Sequence, residues 1–169
     1  VVLTFFGGPK VVAVAATAGS GLGVYRDVVD RRTALRFVVV VALVLGVSLV
    51  LKNGLALPRP PTALHRIPED GFGFPSGHAT ATAGIAFALA GLLEVGTRRA
   101  RYGVATVAVA VIASTRVLLG VHYLLDVVVG ALVGFLVVRI GLRLSRRRLS
   151  PTVGMAVVVV GVGFLLRLA

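Results

Sequence analysis

A histidine and an aspartate four residues apart are the pair in this sequence best suited to catalysis. His122 and Asp126 have i,i+4 spacing, so on a helix both side chains would lie on one face. A carboxylate placed there can accept a hydrogen bond from one ring nitrogen, which leaves the other nitrogen unprotonated and nucleophilic. His78 opens another apolar run and could donate a proton to a leaving oxygen. These three side chains indicate nucleophilic catalysis with a separate general acid.

Three cations at the ends of apolar runs could complement this chemistry. Lys52 ends one run, Arg59 follows it and Arg116 ends another. If the three meet on one face they repel each other unless an anion lies between them. Arginine suits bidentate contact with phosphate, whereas lysine acts as a point charge. The cations therefore predict a phosphate-binding site.

Ser76 and Gly77 add neutral groups of the kind that bind anions. Serine is a favoured helix N-cap, and glycine allows the backbone to approach a ligand closely. The free N–H groups and the dipole at the start of the helix that follows also favour an anion. We therefore expect both residues to join Lys52, Arg59 and Arg116 around the phosphate.

A metal-dependent mechanism is not expected from this set of residues. A two-metal phosphatase needs several carboxylates, and the segments around the candidate site offer Glu69, Asp70 and Asp126. The chain has no cysteine, which excludes disulfides, zinc–thiolate sites and cysteine nucleophiles. We expect no metal and no cofactor. Glu69 and Asp70, with the neighbouring His65 and Arg66, fit none of the patterns and are predicted to form a solvated loop.

The elements that must position these residues are membrane helices. The chain has 169 residues, of which 57% are hydrophobic and 14% charged. A soluble domain has about 45–50% apolar residues and about 25% charged residues. A spanning helix needs about 20 apolar residues, and the strict alternation of a membrane barrel is missing. We predict an all-α polytopic transmembrane bundle of about six spans, forming a single domain over residues 1–169. The predicted spans are Val1–Tyr25, Ala34–Leu51, His78 to about Val95, Tyr102–Val121, Tyr123–Val138 and Thr152–Leu166.

The basic residues predict how this bundle is oriented. The net charge is +12, but the basic residues lie in clusters between apolar runs, which is a membrane pattern and not that of a nucleic-acid binder. Most of them follow the first, third and fifth runs: Arg26, Arg31, Arg32, Arg36, Arg98, Arg99, Arg101, Arg139, Arg143, Arg146, Arg147 and Arg148. The positive-inside rule places these connections in the cytoplasm. The candidate site is then extracytoplasmic.

The candidate residues fall into three ordered motifs that resemble a known family. The motifs are Lys52–x6–Arg59–Pro60, Pro75–Ser76–Gly77–His78 and Arg116–x5–His122–x3–Asp126. Together, over residues 52–126, they resemble the signature of the type 2 phosphatidic acid phosphatase superfamily, which includes membrane lipid phosphatases and soluble vanadium haloperoxidases. One position departs from the pattern: the family usually has Ser directly before the third-motif Arg, where this chain has Thr115.

The resemblance implies a function and a role for each residue. His122 would form a phosphohistidine, Asp126 would orient it, and His78 would protonate the leaving group and then activate water. Lys52, Arg59, Ser76, Gly77 and Arg116 would hold the phosphoryl oxygens. We therefore expect an integral-membrane, metal-independent phosphatase that hydrolyses a phosphate monoester or diphosphate of a lipid. A polyprenyl phosphate or diphosphate is slightly favoured over phosphatidic acid or phosphatidylglycerophosphate, because a small outward-facing enzyme suits the recycling of a carrier lipid.

Two other classes of protein remain open from the sequence. A vanadate-dependent haloperoxidase-like enzyme would use the same anion site, but those relatives are soluble and this chain has six apolar runs. A transporter or lipid-binding protein could also keep an anion site. Binding alone would not need the nucleophile and acid that His122, Asp126 and His78 supply, so an enzyme is the preferred interpretation.

Overall fold

The described part of the chain, residues 7–148 of a computed structural model, folds entirely as helices and their connections. The five α-helices are α1 (Pro9–Tyr25), α2 (Arg31–Leu55), α3 (Gly77–Leu92), α4 (Arg98–Leu118) and α5 (Leu124–Arg148), with a short 3-10 helix at Thr62–Leu64. This confirms the prediction of an all-α bundle. The sixth predicted run, Thr152–Leu166, lies outside the described residues, so the number of six spans stays a prediction.

Three of these helices are long and apolar enough to cross a membrane. Between residues 7 and 148 they are Arg31–Leu55, Arg98–Leu118 and Leu124–Ser145, while α3 is apolar but shorter. Large apolar side chains on α4 and α5 face outward from the bundle, as lipid contact requires; they include Val104, Val107, Leu125, Leu136 and Ile140. The protein is therefore a membrane protein.

Helix α3 lies at the centre of the bundle and contacts the other four α-helices. Its sixteen residues are mostly small, and nine of them are buried, including Gly77, Ala81 and Gly84. A helix of this length spans about 24 Å, less than the roughly 30 Å of a bilayer core. Because other helices surround it, α3 does not need to match the bilayer thickness.

Glycines let the neighbouring helices approach α3 closely. A Cβ on Gly130 of α5 would lie 2.8 Å from the carbonyl oxygen of Ser76, and one on Gly134 would lie 2.6 Å from that of Thr80. A Cβ on Gly84 would lie 2.8 Å from a methyl group of Val44 on α2. The four-residue spacing of Gly130 and Gly134 allows close packing, and in the structure both contact α3.

Side-chain caps set the start of two helices. The Asp30 carboxylate caps α2 by accepting hydrogen bonds from the N–H groups of Arg32 and Thr33, both at 3.0 Å. The Thr97 hydroxyl accepts from Ala100 N–H at the start of α4. This cap starts α4 at Arg98, earlier than the predicted start at Tyr102, and the helix ends at Leu118, before the predicted end at Val121.

Candidate active site

Four helix ends and two connections bring the predicted residues together at one end of the bundle. Lys52 lies in the last turn of α2, and Arg116 lies in the last turn of α4. Gly77 and His78 begin α3, and Asp126 lies in the first turn of α5. The remaining three are Arg59, between α2 and α3, Ser76, which precedes α3, and His122, between α4 and α5. The alternating direction of the helices places all these ends on one side.

A backbone hydrogen bond ties the second motif to the third. The Ser76 N–H donates to the carbonyl oxygen of Asp126 at 3.0 Å. The same region also holds the first motif, because a Cβ on Gly77 would lie 4.0 Å from Cε of Lys52. Three stretches that are distant in sequence therefore form one site.

His122 and Asp126 form the predicted pair, but not on one helix. His122 lies in the connection before α5, which begins at Leu124, so the prediction that both residues share a helical face was wrong. The pair forms because the connection folds back: His122 Nδ1 is 3.3 Å from Asp126 Oδ2, and the same oxygen accepts from Tyr123 N–H at 2.9 Å. Both side chains are buried.

The hydrogen bonds of His122 determine its tautomer. Arg59 Nη1 is 3.1 Å from His122 Nε2. A guanidinium nitrogen can only donate, so Nε2 accepts and carries a lone pair. Nδ1 then carries the proton and donates it to Asp126. This is the tautomer that nucleophilic attack through Nε2 requires.

The surroundings of His122 keep its ring neutral. Burial lowers the pKa of His122 below its ordinary value of 6.5, and the nearby charge of Arg59 lowers it further, followed by Lys52, Arg116 and His78. His78 in turn interacts electrostatically with Arg116, Glu69, Arg59 and Lys52. The two imidazoles are therefore close enough to influence each other.

Arg116 and Ser76 present buried polar groups that lack partners. Both side chains are fully buried. Arg116 Nε and Nη1 and Ser76 Oγ have no hydrogen-bond partner among the described residues. Ser76 holds the N-cap position of α3, as predicted, but its hydroxyl makes no capping hydrogen bond. Buried donors without partners are costly, so these groups indicate a site for a ligand with several acceptor oxygens.

Glu69 is the charged residue at this site that the sequence patterns did not identify. It was predicted to lie in a solvated loop, but its Oε2 is 2.7 Å from Arg116 Nη2 and its Oε1 is 3.5 Å from Arg59 Nη2. The solvated-loop prediction is therefore wrong for Glu69, because a carboxylate lowers the repulsion between two buried guanidinium groups. The available signal was a carboxylate between the first and second motifs of a chain with six acidic residues against eighteen basic ones.

Thr115, the departure from the family pattern, faces the backbone of its own helix. Its hydroxyl donates to the carbonyl oxygen of Ile112 at 2.7 Å.

Between residues 7 and 148, no group of three or more His, Asp or Glu side chains is arranged to hold a metal ion.

Comparison with solved structures identifies two relatives of similar fold. One is LpxE of Aquifex aeolicus, with 23% identity, a TM-score of 0.65, and coverage of 83% of this chain and 81% of that chain. The other is the first transmembrane PAP2-type phosphatidylglycerolphosphate phosphatase of Bacillus subtilis, with 28% identity, a TM-score of 0.64, and coverage of 86% and 76%. No curated protein sequence matches significantly.

The family model of the PAP2 superfamily matches residues 33–150, well over half of the chain, and this range contains all three motifs. The chain therefore belongs to the PAP2 superfamily.

Proposed function

We propose that this protein is a membrane lipid phosphatase that hydrolyses a phosphate monoester or diphosphate of a lipid. The observation that carries the proposal is the geometry of His122. Nδ1 of His122 lies 3.3 Å from Oδ2 of Asp126, which accepts its proton in a hydrogen bond. Nε2 of His122 carries the lone pair and lies 3.1 Å from Nη1 of Arg59. A lone pair beside a guanidinium group can attack a phosphoryl group held by that cation once the phosphoryl oxygens take over the contact with Arg59.

The first step transfers the phosphoryl group to His122. Its Nε2 lone pair forms a bond to phosphorus, and the bond from phosphorus to the leaving oxygen breaks. His78 donates a proton to that oxygen, and the Asp126 carboxylate stabilises the positive charge on the His122 ring. The products are the lipid alcohol, or a lipid monophosphate if the substrate is a diphosphate, and a phosphohistidine.

The second step releases inorganic phosphate. His78, now neutral, takes a proton from water, whose oxygen bonds to phosphorus while the nitrogen–phosphorus bond breaks. Lys52, Arg59 and Arg116 neutralise the charge on the phosphoryl oxygens in both steps, and the Ser76 hydroxyl and the α3 N-terminus at Gly77 add hydrogen-bond donors. All the groups used are side chains and backbone of the chain itself, so we propose that turnover needs no metal.

An apolar cleft offers a place for the lipid chain. It has a volume of about 860 Å³ and opens between α4 and α5, with Phe87 of α3 among its lining residues. Leu118 and Leu124 in its lining stand on either side of the connection that carries His122. A phosphate at His122 can therefore be joined to a chain that remains at the level of the bilayer.

We propose that the site is at the extracytoplasmic end of a multi-pass bundle, as the basic residues predict.

Two substrate classes are candidates. The sequence slightly favours a polyprenyl phosphate or diphosphate, whereas the similarity to a phosphatidylglycerolphosphate phosphatase, at 28% identity, favours a glycerolipid monoester. Both carry a phosphoryl group on a lipid, but one has a single isoprenoid chain and the other a glycerol backbone with two acyl chains.

The test is phosphate release from the detergent-solubilised protein with a panel of lipid phosphates. We expect release from at least one of them, unchanged by EDTA and abolished in His122→Ala. The matched control is His65→Ala, because His65 bonds to the Pro60 carbonyl oxygen and lies outside the anion site. Metal-dependent turnover, or an unimpaired His122→Ala variant, would contradict the mechanism.

A further inference from the structure

One short segment contacts all three cations of the anion site. This segment, residues 69–72, lies between the first and second motifs. Lys52 Nζ donates to the carbonyl oxygen of Phe72 at 2.7 Å. Arg59 donates to the carbonyl oxygens of Gly71 through Nε at 3.1 Å and of Asp70 through Nη2 at 3.0 Å. Arg116 pairs with the Glu69 carboxylate at 2.7 Å. The donors that a phosphoryl group would use are thus directed at the 69–72 segment.

The Glu69 carboxylate takes the place that two phosphoryl oxygens would take. One of its oxygens lies against Arg116 and the other against Arg59. Burial raises the pKa of Glu69, but the hydrogen bond and charge of Arg116, followed by the charges of His78 and Arg59, outweigh it and lower the pKa below its ordinary value. Glu69 is therefore an anion at neutral pH. While Glu69 remains there, a substrate phosphate cannot take the contacts that its carboxylate makes with Nη2 of Arg116 and Nη2 of Arg59.

The Glu69 carboxylate leaves several polar groups of the anion site without a hydrogen-bond partner. Arg116 Nε and Nη1 and Ser76 Oγ stay without partners among the described residues. A phosphoryl group has three free oxygens and up to two negative charges, so it can accept from more of these donors than a carboxylate does. It can therefore displace Glu69, at the expense of breaking the ion pair.

The nucleophile is covered in the same arrangement. Arg59 Nη1 donates to the lone pair of His122 Nε2 that must attack phosphorus. The contacts of Arg59 with Glu69, Asp70 and Gly71 hold it in that position. In this arrangement the protein's own groups contact both the cations of the anion site and the attacking nitrogen.

We propose that Glu69 is a built-in anionic competitor, which occupies the phosphate site at rest and is displaced by the phosphoryl group of the substrate. It thereby sets the affinity threshold for anions, so that weakly held ones, such as the singly charged phosphodiesters of bulk lipids, leave the site free. This inference rests on the proposed function, because it takes the anion site to be the phosphoryl site.

Glu69→Gln tests this with inorganic phosphate as the probe. The substitution keeps the shape of the side chain and removes its charge. We expect inorganic phosphate to bind about tenfold more tightly, the size expected for removing a charge-assisted contact that competes with it. The readouts are phosphate-dependent thermal stabilisation of the detergent-solubilised protein, which needs no turnover, and the inhibition constant of phosphate in the lipid phosphatase assay. Glu69→Ala is the second variant and carries the same prediction if Glu69→Gln folds poorly.

Asp70→Asn is the matched control, because it removes the same charge from the adjacent, exposed side chain. Its phosphate affinity should stay within about twofold of the wild type, since Asp70 contacts Arg59 through its backbone carbonyl oxygen. Unchanged or weaker phosphate binding in both Glu69 variants, or an equal gain in Asp70→Asn, overturns the inference. A wild type that hydrolyses no lipid phosphate, while Glu69→Gln binds phosphate more tightly, refutes the proposed function instead and leaves Glu69 as the competitor.

Discussion

At the scale of single residues, Asp126 has two tasks that one carboxylate oxygen performs together. Its Oδ2 accepts from Tyr123 N–H at 2.9 Å and faces His122 Nδ1 at 3.3 Å. The first contact holds the connection at the start of α5, and the second fixes the His122 tautomer. An amide oxygen can accept both contacts but carries no negative charge, so the structural task can be separated from the stabilisation of a charged His122 ring.

Asp126→Asn should reduce kcat by about 10²- to 10⁴-fold while the fold is preserved. The amide oxygen can still accept from Tyr123 N–H, but an amide has no negative charge to stabilise the His122 imidazolium. The measurement is kcat with the preferred lipid phosphate, together with the melting temperature in detergent. A kcat close to that of the wild type would show that His122 does not need this carboxylate.

The pH profile should reflect two histidines with opposite requirements. His122 must be neutral to attack. Since burial and then Arg59 lower its pKa below 6.5, the acidic limb of kcat/KM should lie below that pH. His78 must be protonated in the first step, a form that the bound phosphoryl anion favours, so kcat should fall towards alkaline pH. His78→Ala should remove this limb from the residual activity. A profile that is flat between about pH 5 and 9 with chemistry rate-limiting would contradict the assignment.

The residues that the sequence could predict are those that fall into motifs. His78, His122, Asp126 and the cations lie in fixed spacings, and the structure brings them to one end of the bundle. Glu69 has no such spacing, because its contact with Arg116 comes from the path of a long connection between α2 and α3. A contact made by an irregular connection leaves no periodic pattern in the sequence, so it becomes visible only in the structure.

At the scale of the elements, glycines of α5 determine how closely this helix approaches α3. The bundle positions Asp126 through the contact of α5 with α3, where Gly130 and Gly134 lie against the α3 backbone. The sequence could indicate the spacing of these glycines, but a chain with 21 glycines offers many similar pairs. Helical spacing also could not predict that His122 lies outside α5, because the turn that directs this side chain towards Asp126 is irregular.

Gly134→Ala should destabilise the bundle by about 1–3 kcal/mol, the usual cost of overpacking. The added methyl group would lie 2.6 Å from the carbonyl oxygen of Thr80 and 2.7 Å from Cβ of Ala83, so α3 and α5 must move apart. The measurement is the melting temperature in detergent.

Gly46→Ala is the control for this substitution. Gly46 also lies within a helix, α2, but a Cβ there meets nothing within 4 Å. Its melting temperature should be equal to or above that of the wild type, because alanine favours a helix more than glycine does. Equal effects of the two substitutions would show that close packing on α3 does not hold the site together.

At the scale of the whole molecule, the charge distribution distinguishes the two ends of the bundle. The end that carries Lys52, Arg59 and Arg116 uses its cations inside the site. At the opposite end, Arg101 donates to the carbonyl oxygens of Ala90 and Gly96, both at 3.0 Å, and so satisfies the end of α3. Arg36 donates to the Ser145 hydroxyl at 3.1 Å and links α2 to α5. The basic residues at this end therefore contribute to the fold as well as to the predicted orientation.

Cysteine labelling can test the predicted orientation directly, because the chain has no cysteine of its own. Ala63 is exposed in the connection near the site, and Val95 is 76% exposed between α3 and α4. In intact cells, a membrane-impermeant maleimide should label Ala63→Cys and leave Val95→Cys unlabelled until the membrane is permeabilised. The reverse pattern would place the site on the cytoplasmic side.

The most direct test of the central claim is to trap the phosphoenzyme. With a substrate that carries a radiolabelled phosphoryl group, rapid denaturation should leave label on the wild-type protein that is stable to base and lost in acid, as a nitrogen–phosphorus bond requires. The label should be absent from His122→Ala and present on His65→Ala. Label that persists in His122→Ala, or rapid turnover of the wild type with no label at any quench time, would contradict His122 as the residue that attacks phosphorus.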